Sequence, residues 1–234
     1  MASSSFILLT PRLVLIPTPL AVNIKSYVNL YASLHADAAF CEMGFGASFP
    51  ARNWTEEETR EIILTRDIAR CWQERHLGDL AVGLRSTAQI DQLTTRPITG
   101  TNDQVHIIEE HETETISQAL SNVEWVGYAG VRDATTTSMP LRTDADPPLP
   151  HWQEMIELRY GVAPACWGKG MAREAAEAVM QWASRERGVK RFIAETEKEN
   201  ARSARVLEKM GFVKRDGIDY WKEEGEVEWE RVFV

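Results

Sequence analysis

The order of strand-like and helix-like segments predicts an α/β (α+β) fold in which helices flank a central sheet. Two observations carry this prediction. Strands and helices alternate along most of the chain, and residues 155–211 are the most regular part, with a strand, a glycine turn, an amphipathic helix, a strand and a short helix in succession. The chain has 234 residues, of which 44% are hydrophobic, enough for a buried core. We therefore predict a single domain over residues 1–234.

The first strand and the first helix are predicted near the N-terminus. Residues 12–16, Arg-Leu-Val-Leu-Ile, are predicted to be the first strand and lie between two prolines, which suit strand ends because proline cannot donate a hydrogen bond to a neighbouring strand. Apolar side chains then recur at helical spacing from Leu20 to Leu34, so this segment is predicted to be a helix. Residues 44–50 are predicted to form the loop that follows.

A capping box marks the start of the second helix. Glu58 follows Thr55 at the spacing in which each side chain satisfies a backbone N–H of the helix start. The helix is predicted to run to about His76, and Gly78 is predicted to end it.

Two polar segments, near residues 86–122 and 134–151, are predicted to be insertions into the domain. Apolar runs at residues 80–85 and 123–131 flank the first segment and predict two strands. Inside it, residues 104–108 indicate at most a short strand. The second segment holds four of the ten prolines and is predicted to be a loop.

The last third of the chain carries the clearest pattern. Residues 155–162 are predicted to be a strand, and residues 164–170 a turn with two glycines. Small and apolar side chains then share one face of a helix that ends near Gly188. The predicted elements that follow are a strand at residues 191–196, a helix at residues 201–210 ended by Gly211, and two closing strands at residues 212–221 and 227–234.

The charge of the chain excludes one class of partner and leaves another open. The formal net charge is −9 and the isoelectric point is near 5.2. Because binding to nucleic-acid phosphates takes clustered Lys and Arg, which are not seen here, no nucleic-acid partner is expected. An acidic field attracts cationic molecules such as polyamines, lysine side chains or amino sugars, or it only keeps the protein in solution.

Neither a membrane span nor a disulfide scaffold is expected. No apolar run reaches the roughly 18–20 residues that cross a bilayer, and the first ten residues lack the basic start and the cleavage site of a signal peptide. The three cysteines lie far apart and are odd in number, which favours a reducing compartment and a cytoplasmic location. The five histidines lack the spacing of a metal site, so no metal is expected. The oligomeric state cannot be predicted.

The strand, glycine turn and helix around residues 157–176 have the properties of an anion site. The first turn of a helix carries unpaired N–H groups and a partial positive charge. Gly168 and Gly170 remove side chains where an anion would approach, and Lys169 adds a positive charge. An ordinary glycine turn before a helix is the alternative on these residues alone.

The glycine spacing excludes two familiar phosphate-binding motifs. A Walker A loop has four residues between its first glycine and Gly-Lys, followed by Ser or Thr; here six residues separate Gly161 from Gly168, and Gly170 follows Lys169. A dinucleotide fingerprint would place Arg173 at its third glycine, where close helix packing requires a small residue.

The segment Trp167-Gly-Lys-Gly-Met-Ala172, with Glu174 and Ala175 after it, resembles the pyrophosphate loop of the GNAT N-acetyltransferase superfamily. It is most similar to the branch of ribosomal-protein alanine and serine acetyltransferases. In the general pattern Q/R-x-x-G-x-G/A, Trp167 occupies the Q/R position, Gly170 the central glycine and Ala172 the last position. Tryptophan departs from the general pattern but agrees with the branch, and the departure concerns a side-chain contact with phosphate rather than the backbone cradle.

Two further segments carry the resemblance. Asn200 to Phe212 resembles the N-x-x-S-x-x-V-x-x-K-x-G-F signature of the superfamily and begins 30 residues after Gly170. Thr10-Pro-Arg-Leu-Val-Leu resembles the T-x-R-L-x-L start of the branch. The resemblance is strong over residues 155–212, weaker over residues 10–131 and absent from the two insertions.

The resemblance implies a fold, a donor and a reaction. It implies a mixed, mostly antiparallel central sheet, flanked by helices, in which two central parallel strands (here residues 157–162 and 191–196) splay apart. Acetyl-CoA, the acyl donor, would lie in that gap, and a primary amine, either a small molecule or a peptide N-terminus, would attack its thioester directly. Backbone groups of Tyr160, Gly161 and Val162 would pair with the pantetheine. The pyrophosphate would contact the backbone of Trp167, Gly168, Lys169, Gly170, Met171 and Ala172.

The resemblance also implies the candidate catalytic residues. Ser203 would donate a hydrogen bond or a proton to the CoA sulfur, or it is only a polar residue on the exposed side of a short helix. Asn200 would bind cofactor or substrate, cap the following helix, or do both. An alkyl ammonium must lose a proton before it attacks, and Glu157 and Glu195, one on each splayed strand, are the candidate bases, with Glu124 and Glu197 weaker. Period-two alternation leaves open which side of the sheet each faces.

One alternative function belongs to a different class. A non-catalytic module that binds or senses acyl-CoA would keep the glycine turn and lack a working base. The presence of both Ser203 and Asn200 favours an enzyme.

Overall fold

The computed structural model describes residues 6–85, 94–98, 104–108, 120, 122–216, 220–221 and 225–233. These residues form one ten-stranded sheet with the strand order β4-β5-β1-β2-β3-β6-β7-β8-β10-β9. The strands are β1 (Ile7–Leu9), β2 (Leu13–Pro17), β3 (Asp79–Leu84), β4 (Arg96–Pro97), β5 (His106–Ile108), β6 (Trp125–Asp133), β7 (Ile156–Val162), β8 (Arg191–Glu197), β9 (Val213–Lys214) and β10 (Glu226–Val232).

Among the described residues, β7 and β8 form the single parallel pair, and all other neighbouring strands are antiparallel. The parallel register is short, because it pairs Ile156 with Phe192 and Glu157 with Ile193 only. Beyond these two positions both strands continue for several residues without pairing to each other. The predicted fold, a mostly antiparallel sheet with splayed central parallel strands, is confirmed.

Helices cover both faces of the sheet. They are α1 (Thr18–Ala21), α2 (Lys25–Ala36), α3 (Ala38–Phe45), α4 (Glu56–Ile62), α5 (Gln73–Arg75), α6 (Ala134–Thr137), α7 (Met171–Arg187) and α8 (Ala201–Lys209). A π-helix, Ile63–Trp72, joins α4 to α5. Short 3₁₀ helices occur at Trp152–Glu154 and Pro164–Cys166.

The core lies mainly between the sheet and α7. Small residues on one face of α7, among them Ala175 and Ala176, are fully buried and let the helix approach β6 and β7 closely. The large aromatic Trp182 fills the space nearer the C-terminal end of the same helix and stacks on Phe6 at 4.8 Å. Gly188, in the left-handed region at φ 71°, ends the helix as predicted. We call this side of the sheet the α7 face, and the opposite side, on which α2 packs, the α2 face.

Several predicted elements are confirmed at their expected places. The capping box of Thr55 and Glu58 is present in both directions. Its helix reaches Arg75 and is ended by His76, in the left-handed conformation at φ 54°, and not by Gly78 as predicted. The uncertain strand at residues 104–108 exists as β5, which pairs with β1.

Other predictions are wrong in detail. The strand Ile7–Leu9 is not among the predicted elements. A tight turn of Thr10 to Leu13, in which Thr10 N donates to Leu13 O at 3.0 Å, folds it back on β2, and its other edge pairs with β5. The predicted loop after residue 134 begins with α6, since Asp133 caps it by accepting from Thr135 N. The predicted strand at residues 212–221 is reduced to β9 within the described residues. Most of the predicted insertion at residues 86–122 lies outside the described residues.

Candidate active site

The gap between β7 and β8 exposes backbone groups of β7. Ala163 N donates to Val126 O at 2.8 Å, toward β6. Because backbone groups alternate in direction along a strand, those of Leu158, Tyr160 and Val162 point the other way, into the gap. The second half of β7 therefore offers a strand edge to an extended molecule at Tyr160 and Val162, whereas the backbone of Gly161, which is also among the residues expected to contact the pantetheine, points toward β6.

The glycine loop, residues 167–170, connects the end of β7 to the start of α7. Gly168 and Gly170 adopt φ values of 75° and 77°, in the left-handed region that side-chain-bearing residues rarely enter. A Cβ added to Gly168 would meet no atom within 4 Å, so open space lies in front of the loop. The loop opens a helix of 17 residues, whose first turn attracts an anion. The loop therefore fits a diphosphate.

Trp167 anchors the glycine loop. Its Nε1 donates to the carbonyl of Val162 at 2.8 Å, and the guanidinium of Arg202 lies 5.2 Å from the centre of its ring. The tryptophan at the Q/R position thus ties the loop back to the end of β7 and to α8.

Glu174, in the first turn of α7, accepts hydrogen bonds from the β1–β2 turn. Its carboxylate accepts from Thr10 Oγ1 at 2.6 Å, from Arg12 N at 3.0 Å and from Arg12 Nε at 2.6 Å. Arg12 Nη1 also donates to the carbonyl of Lys169 at 2.9 Å. Sequence reasoning singled out both segments as motifs but missed that they contact each other.

Ser203 lies in the first turn of α8 and faces β7. Its Oγ is 2.8 Å from the hydroxyl oxygen of Tyr160. Burial raises the pKa of Tyr160 to about 12, against a smaller lowering by the hydrogen bond with Ser203, so the phenol stays protonated at neutral pH. Ser203 therefore has a protonated hydrogen-bond partner, the phenol of Tyr160, whereas the sequence had implicated only the backbone of Tyr160.

Asn200 both caps α8 and reaches across the gap. Its Oδ1 accepts from Ser203 N at 3.0 Å, which is the expected cap. Its Nδ2 donates to the carbonyl of Met43, in α3, at 2.7 Å.

The two candidate bases face the same side of the sheet. Since Glu157 is in register with Ile193, Glu195, two residues on, points to the same face. Glu157 is buried and is bound by Arg132 through two hydrogen bonds of 2.9 Å and by Ser138. Burial acts to raise the pKa of Glu157, but the charge and hydrogen bonds of Arg132 outweigh it and lower the pKa below its ordinary value.

The short helix α3 crosses the gap on the α2 face. At one end, the ring of Phe40 would lie 2.8 Å from a Cβ on Gly161 of β7. At the other end, Gly46, with φ 96°, lies against the carboxylate of Glu197 in β8. With the Asn200–Met43 hydrogen bond, these contacts place α3 over the splayed strands. The sequence carries no strong pattern for this helix, and it was not predicted.

An aromatic cluster surrounds His35 next to α3. The imidazole is 5% exposed and lies 4.7 Å from Tyr31, 4.8 Å from Trp54 and 5.4 Å from Phe45, measured between ring centres. Neither ring nitrogen has a hydrogen-bond partner among the described residues. Burial first, and the charge of Arg159 next, lower the pKa of His35 from 6.5 to about 4, so the ring is neutral at pH 7.

A buried charge network lies beneath the α2 face. Asp79, at the start of β3, accepts from Arg159 of β7 at 3.0 Å, and its backbone N–H donates to Asp67 at 3.0 Å. Asp67 lies in the π-helix and also accepts from Thr18. Burial, followed by the charge of Asp79, raises the pKa of Asp67. The network fixes β7 and the π-helix relative to each other.

The described residues offer no side-chain cluster for a metal ion and no helix suited to cross a membrane. They contain no group of three or more His, Cys, Asp or Glu side chains arranged to hold a metal ion. Within the same ranges, no helix is both long and apolar enough to cross a membrane.

Solved structures share this architecture. An acetyltransferase from Agrobacterium tumefaciens superposes with a TM-score of 0.56 at 18% identity, over 99% of this chain and 96% of that one. A GNAT-family acetyltransferase from Bacillus anthracis gives 0.55 at 16% identity, over 97% and 98%. The RimL ribosomal L7/L12 α-N-protein acetyltransferase, solved in complex with coenzyme A, gives 0.57 at 14% identity, over 95% of each chain. At these identities the likeness shows the fold.

The family is shown by the sequence itself. A family model described as "Acetyltransferase (GNAT) domain" matches residues 24–213, which include the glycine loop, both splayed strands and α8. The chain belongs to the GNAT acetyltransferase family, whose reaction is the transfer of an acetyl group from acetyl-CoA.

Proposed function

We propose that this protein transfers the acetyl group of acetyl-CoA to a primary amine, either a small molecule or a peptide N-terminus, by direct attack of the amine on the thioester. The observation that carries the proposal is the continuous path from the unpaired edge of β7, through the end of that strand, into the glycine loop. An extended thiol ester with a diphosphate at its far end matches that path in both shape and charge.

The donor site would use backbone groups more than side chains. Tyr160, Gly161 and Val162 would line the pantetheine, and the N–H groups from Trp167 to Ala172 would hold the diphosphate. Acetyl-CoA supplies the activated acetyl group. The chain's own contribution at this end is a fixed, open loop with positive partial charge.

Ser203 would donate a hydrogen bond to the sulfur of the leaving CoA thiolate. Since Tyr160 stays protonated, its hydroxyl can donate to Ser203 Oγ, which leaves the serine hydroxyl hydrogen free to point at a developing thiolate. A donor fixed in this way stabilises charge that forms only during the reaction. The hydrogen bond that Ser203 N donates to Asn200 Oδ1 fixes the same turn.

Glu195 is the better candidate base of the two. The lone pairs of Glu157 are engaged by Arg132 and Ser138, and its lowered pKa reduces its strength as a proton acceptor. Glu195 lies beyond the part of β8 that pairs with β7, where these two strands have separated. We propose that it removes the amine proton directly or through water.

The acceptor would enter from the α2 face, where α3 covers the gap. The RimL structure is that of an enzyme acting on the N-terminus of a ribosomal protein, so a peptide N-terminus is one class to test. The acidic balance of the chain favours a cationic small amine as the other. The three cysteines are free thiols, which supports the proposal of a reducing, cytoplasmic compartment.

Release of free CoA thiol tests the proposal. The purified chain would be mixed with acetyl-CoA and a panel of polyamines, amino sugars and short peptides with free N-termini. Acceptor-dependent thiol release, with mass spectrometry showing an acetylated amine, would support it. Calorimetric binding of acetyl-CoA with no transfer to any member of the panel would instead favour the sensing module.

A further inference from the structure

The β1–β2 turn reaches the glycine loop through Arg12. In addition to the backbone N–H and Nε contacts, Arg12 Nη2 lies 2.6 Å from Glu174 Oε2. With Nη1 on the carbonyl of Lys169 at 2.9 Å, all three guanidinium nitrogens are engaged. The fork therefore contacts the first turn of α7 and the loop at the same time.

The charge of Glu174 requires such a partner. A carboxylate in the first turn of a helix is favourable for the helix itself, but it opposes the approach of a second anion such as a diphosphate. Arg12 neutralises it at 2.6 Å, while Thr10 Oγ1 satisfies its other oxygen. The anion site thus keeps the positive end of α7 without a net negative charge beside it.

The hydrogen bond to Lys169 fixes the direction of a peptide plane. The carbonyl of Lys169 and the N–H of Gly170 belong to one trans peptide and point in opposite directions. Because Arg12 holds the carbonyl, the Gly170 N–H is turned away from Arg12. A Cβ on Gly170 would stand 3.4 Å from Arg12 Nη2, so the guanidinium also sets how closely the loop packs on the turn.

The turn does not depend on the Arg12 side chain for its own shape. Thr10 N donates to Leu13 O, and Leu13 N donates to Thr10 Oγ1 at 2.9 Å. Arg85, the residue after β3, holds the same turn, with its N–H on Arg12 O at 2.9 Å and its guanidinium on Thr10 O at 2.8 Å. Removing the Arg12 side chain should therefore leave the fold intact.

We propose that Arg12 is a positioning residue for acetyl-CoA, which acts by neutralising Glu174 and by holding the Lys169–Gly170 peptide so that the glycine loop presents N–H groups to the diphosphate. The inference rests on the proposed function for its donor. The contact of Arg12 with Lys169 and Glu174 also gives a physical reason for the occurrence of both motifs, the β1–β2 turn and the glycine loop, which lie far apart in the sequence.

The test compares donors with and without a diphosphate. Arg12→Ala should raise the calorimetric Kd for CoA on the order of 10- to 100-fold, the effect of a lost charge-assisted hydrogen bond and an exposed like charge. The KM for acetyl-CoA should rise in step while kcat is unchanged. With S-acetylpantetheine, which has no diphosphate, kcat/KM should stay at the wild-type value. A merely destabilised protein would lose activity with both donors.

Three variants sharpen the result. Arg12→Lys keeps the charge but cannot contact Glu174 and Lys169 as a fork, so its CoA affinity should fall between wild type and Arg12→Ala. Adding Glu174→Gln to Arg12→Ala should recover part of the lost affinity. The matched control is Arg173→Ala, which removes a similarly exposed arginine (45% against 49%) that is paired with Glu177 at 3.0 Å in the same helix start. It should bind CoA as the wild type does.

The possible outcomes separate this inference from the proposed function. Equal CoA affinity in Arg12→Ala and the wild type, an equal loss in Arg173→Ala, or a parallel loss with S-acetylpantetheine would each overturn the role of Arg12 while the transfer reaction stands. A wild-type protein that binds CoA but transfers no acetyl group overturns the proposed function, and the CoA affinities still decide the role of Arg12. A wild-type protein that does not bind CoA overturns both.

Discussion

Acid should destabilise this protein through one buried imidazole, His35. An ordinary histidine takes up a proton near pH 6.5, but burial and the charges of Arg159 and Arg66 lower the pKa of His35 to about 4. The folded state therefore binds fewer protons than the unfolded chain between these two values. The stability that results is complete above pH 6.5 and is lost as the pH falls toward 4.

The size of the effect follows from the two pKa values. Between pH 7.5 and pH 5, the linkage relation gives a loss of about 2 kcal/mol in the free energy of unfolding from this group alone. For a domain of this length, that corresponds to a fall in Tm of roughly 4–8 °C. Other groups titrate in the same range, so the contribution of His35 must be isolated by a variant.

His35→Phe is the variant that isolates it, because the aromatic cluster can accept another ring and the substitution removes the titration. The Tm of the wild type and the variant would be measured by circular dichroism at pH 7.5 and pH 5. The acid-induced fall should be smaller in His35→Phe by about the amount above, whereas His151→Gln, which changes an exposed histidine, should behave as the wild type. An identical fall in His35→Phe would refute the reasoning, as would an NMR titration of the His35 ring with a midpoint near 6.5.

Further predictions concern the acetyl-transfer site. Gly170→Val should weaken acetyl-CoA binding at least about tenfold by calorimetry, because valine is strained at φ 77° and blocks the loop. The control Gly188→Val, at φ 71° on the far end of the same helix, should bind acetyl-CoA as the wild type does. Equal acetyl-CoA affinities of Gly170→Val and the wild type would contradict the assignment of the loop. Ser203→Ala should lower kcat more than it raises the Kd for acetyl-CoA, as expected for a contact made mainly in the transition state; a wild-type kcat would leave Ser203 a structural role only. A polyamine should show a lower KM than an amine with an uncharged body, and the advantage should shrink at high salt because attraction between exposed charges is screened over about 10 Å at 0.1 M salt; a KM ratio that is flat across salt would assign the acidic balance to solubility.

Local patterns predicted the parts of the fold that local chemistry determines. The capping box at Thr55, the small-residue face of α7 and its glycine end all depend on residues close in sequence, and all are present. The strand β1 could not be separated from an apolar N-terminal patch, because its identity depends on pairing with β5, which lies almost 100 residues away. Helix α3 is too short for a periodic signal, and its place over the gap depends on contacts with Gly161, Asn200 and Glu197.

The candidate bases also combine a feature that the local sequence predicts with one that depends on a distant residue. The sequence identified two glutamates on the two splayed strands, and the register places both on one face. The sequence does not show that Arg132 of β6 lies opposite Glu157 of β7 and forms an ion pair with it. The paired arginine lowers the pKa of Glu157, which weakens it as a proton acceptor, and our proposal therefore names Glu195 as the base.

The side chains of the glycine-loop motif contact the scaffold, and this explains how the motif tolerates a change at its first position. The Trp167 side chain donates a hydrogen bond to the end of β7, and the Glu174 carboxylate accepts hydrogen bonds from the β1–β2 turn. Both side chains are therefore held by the scaffold and do not occupy the open space in front of Gly168. The groups that would meet the diphosphate are backbone N–H groups, which every residue except proline supplies. In the proposed site, the residue at position 167 acts by tying the loop to β7, so Trp can stand where the general pattern has Gln or Arg, and glycine is needed where φ is positive, at Gly168 and Gly170.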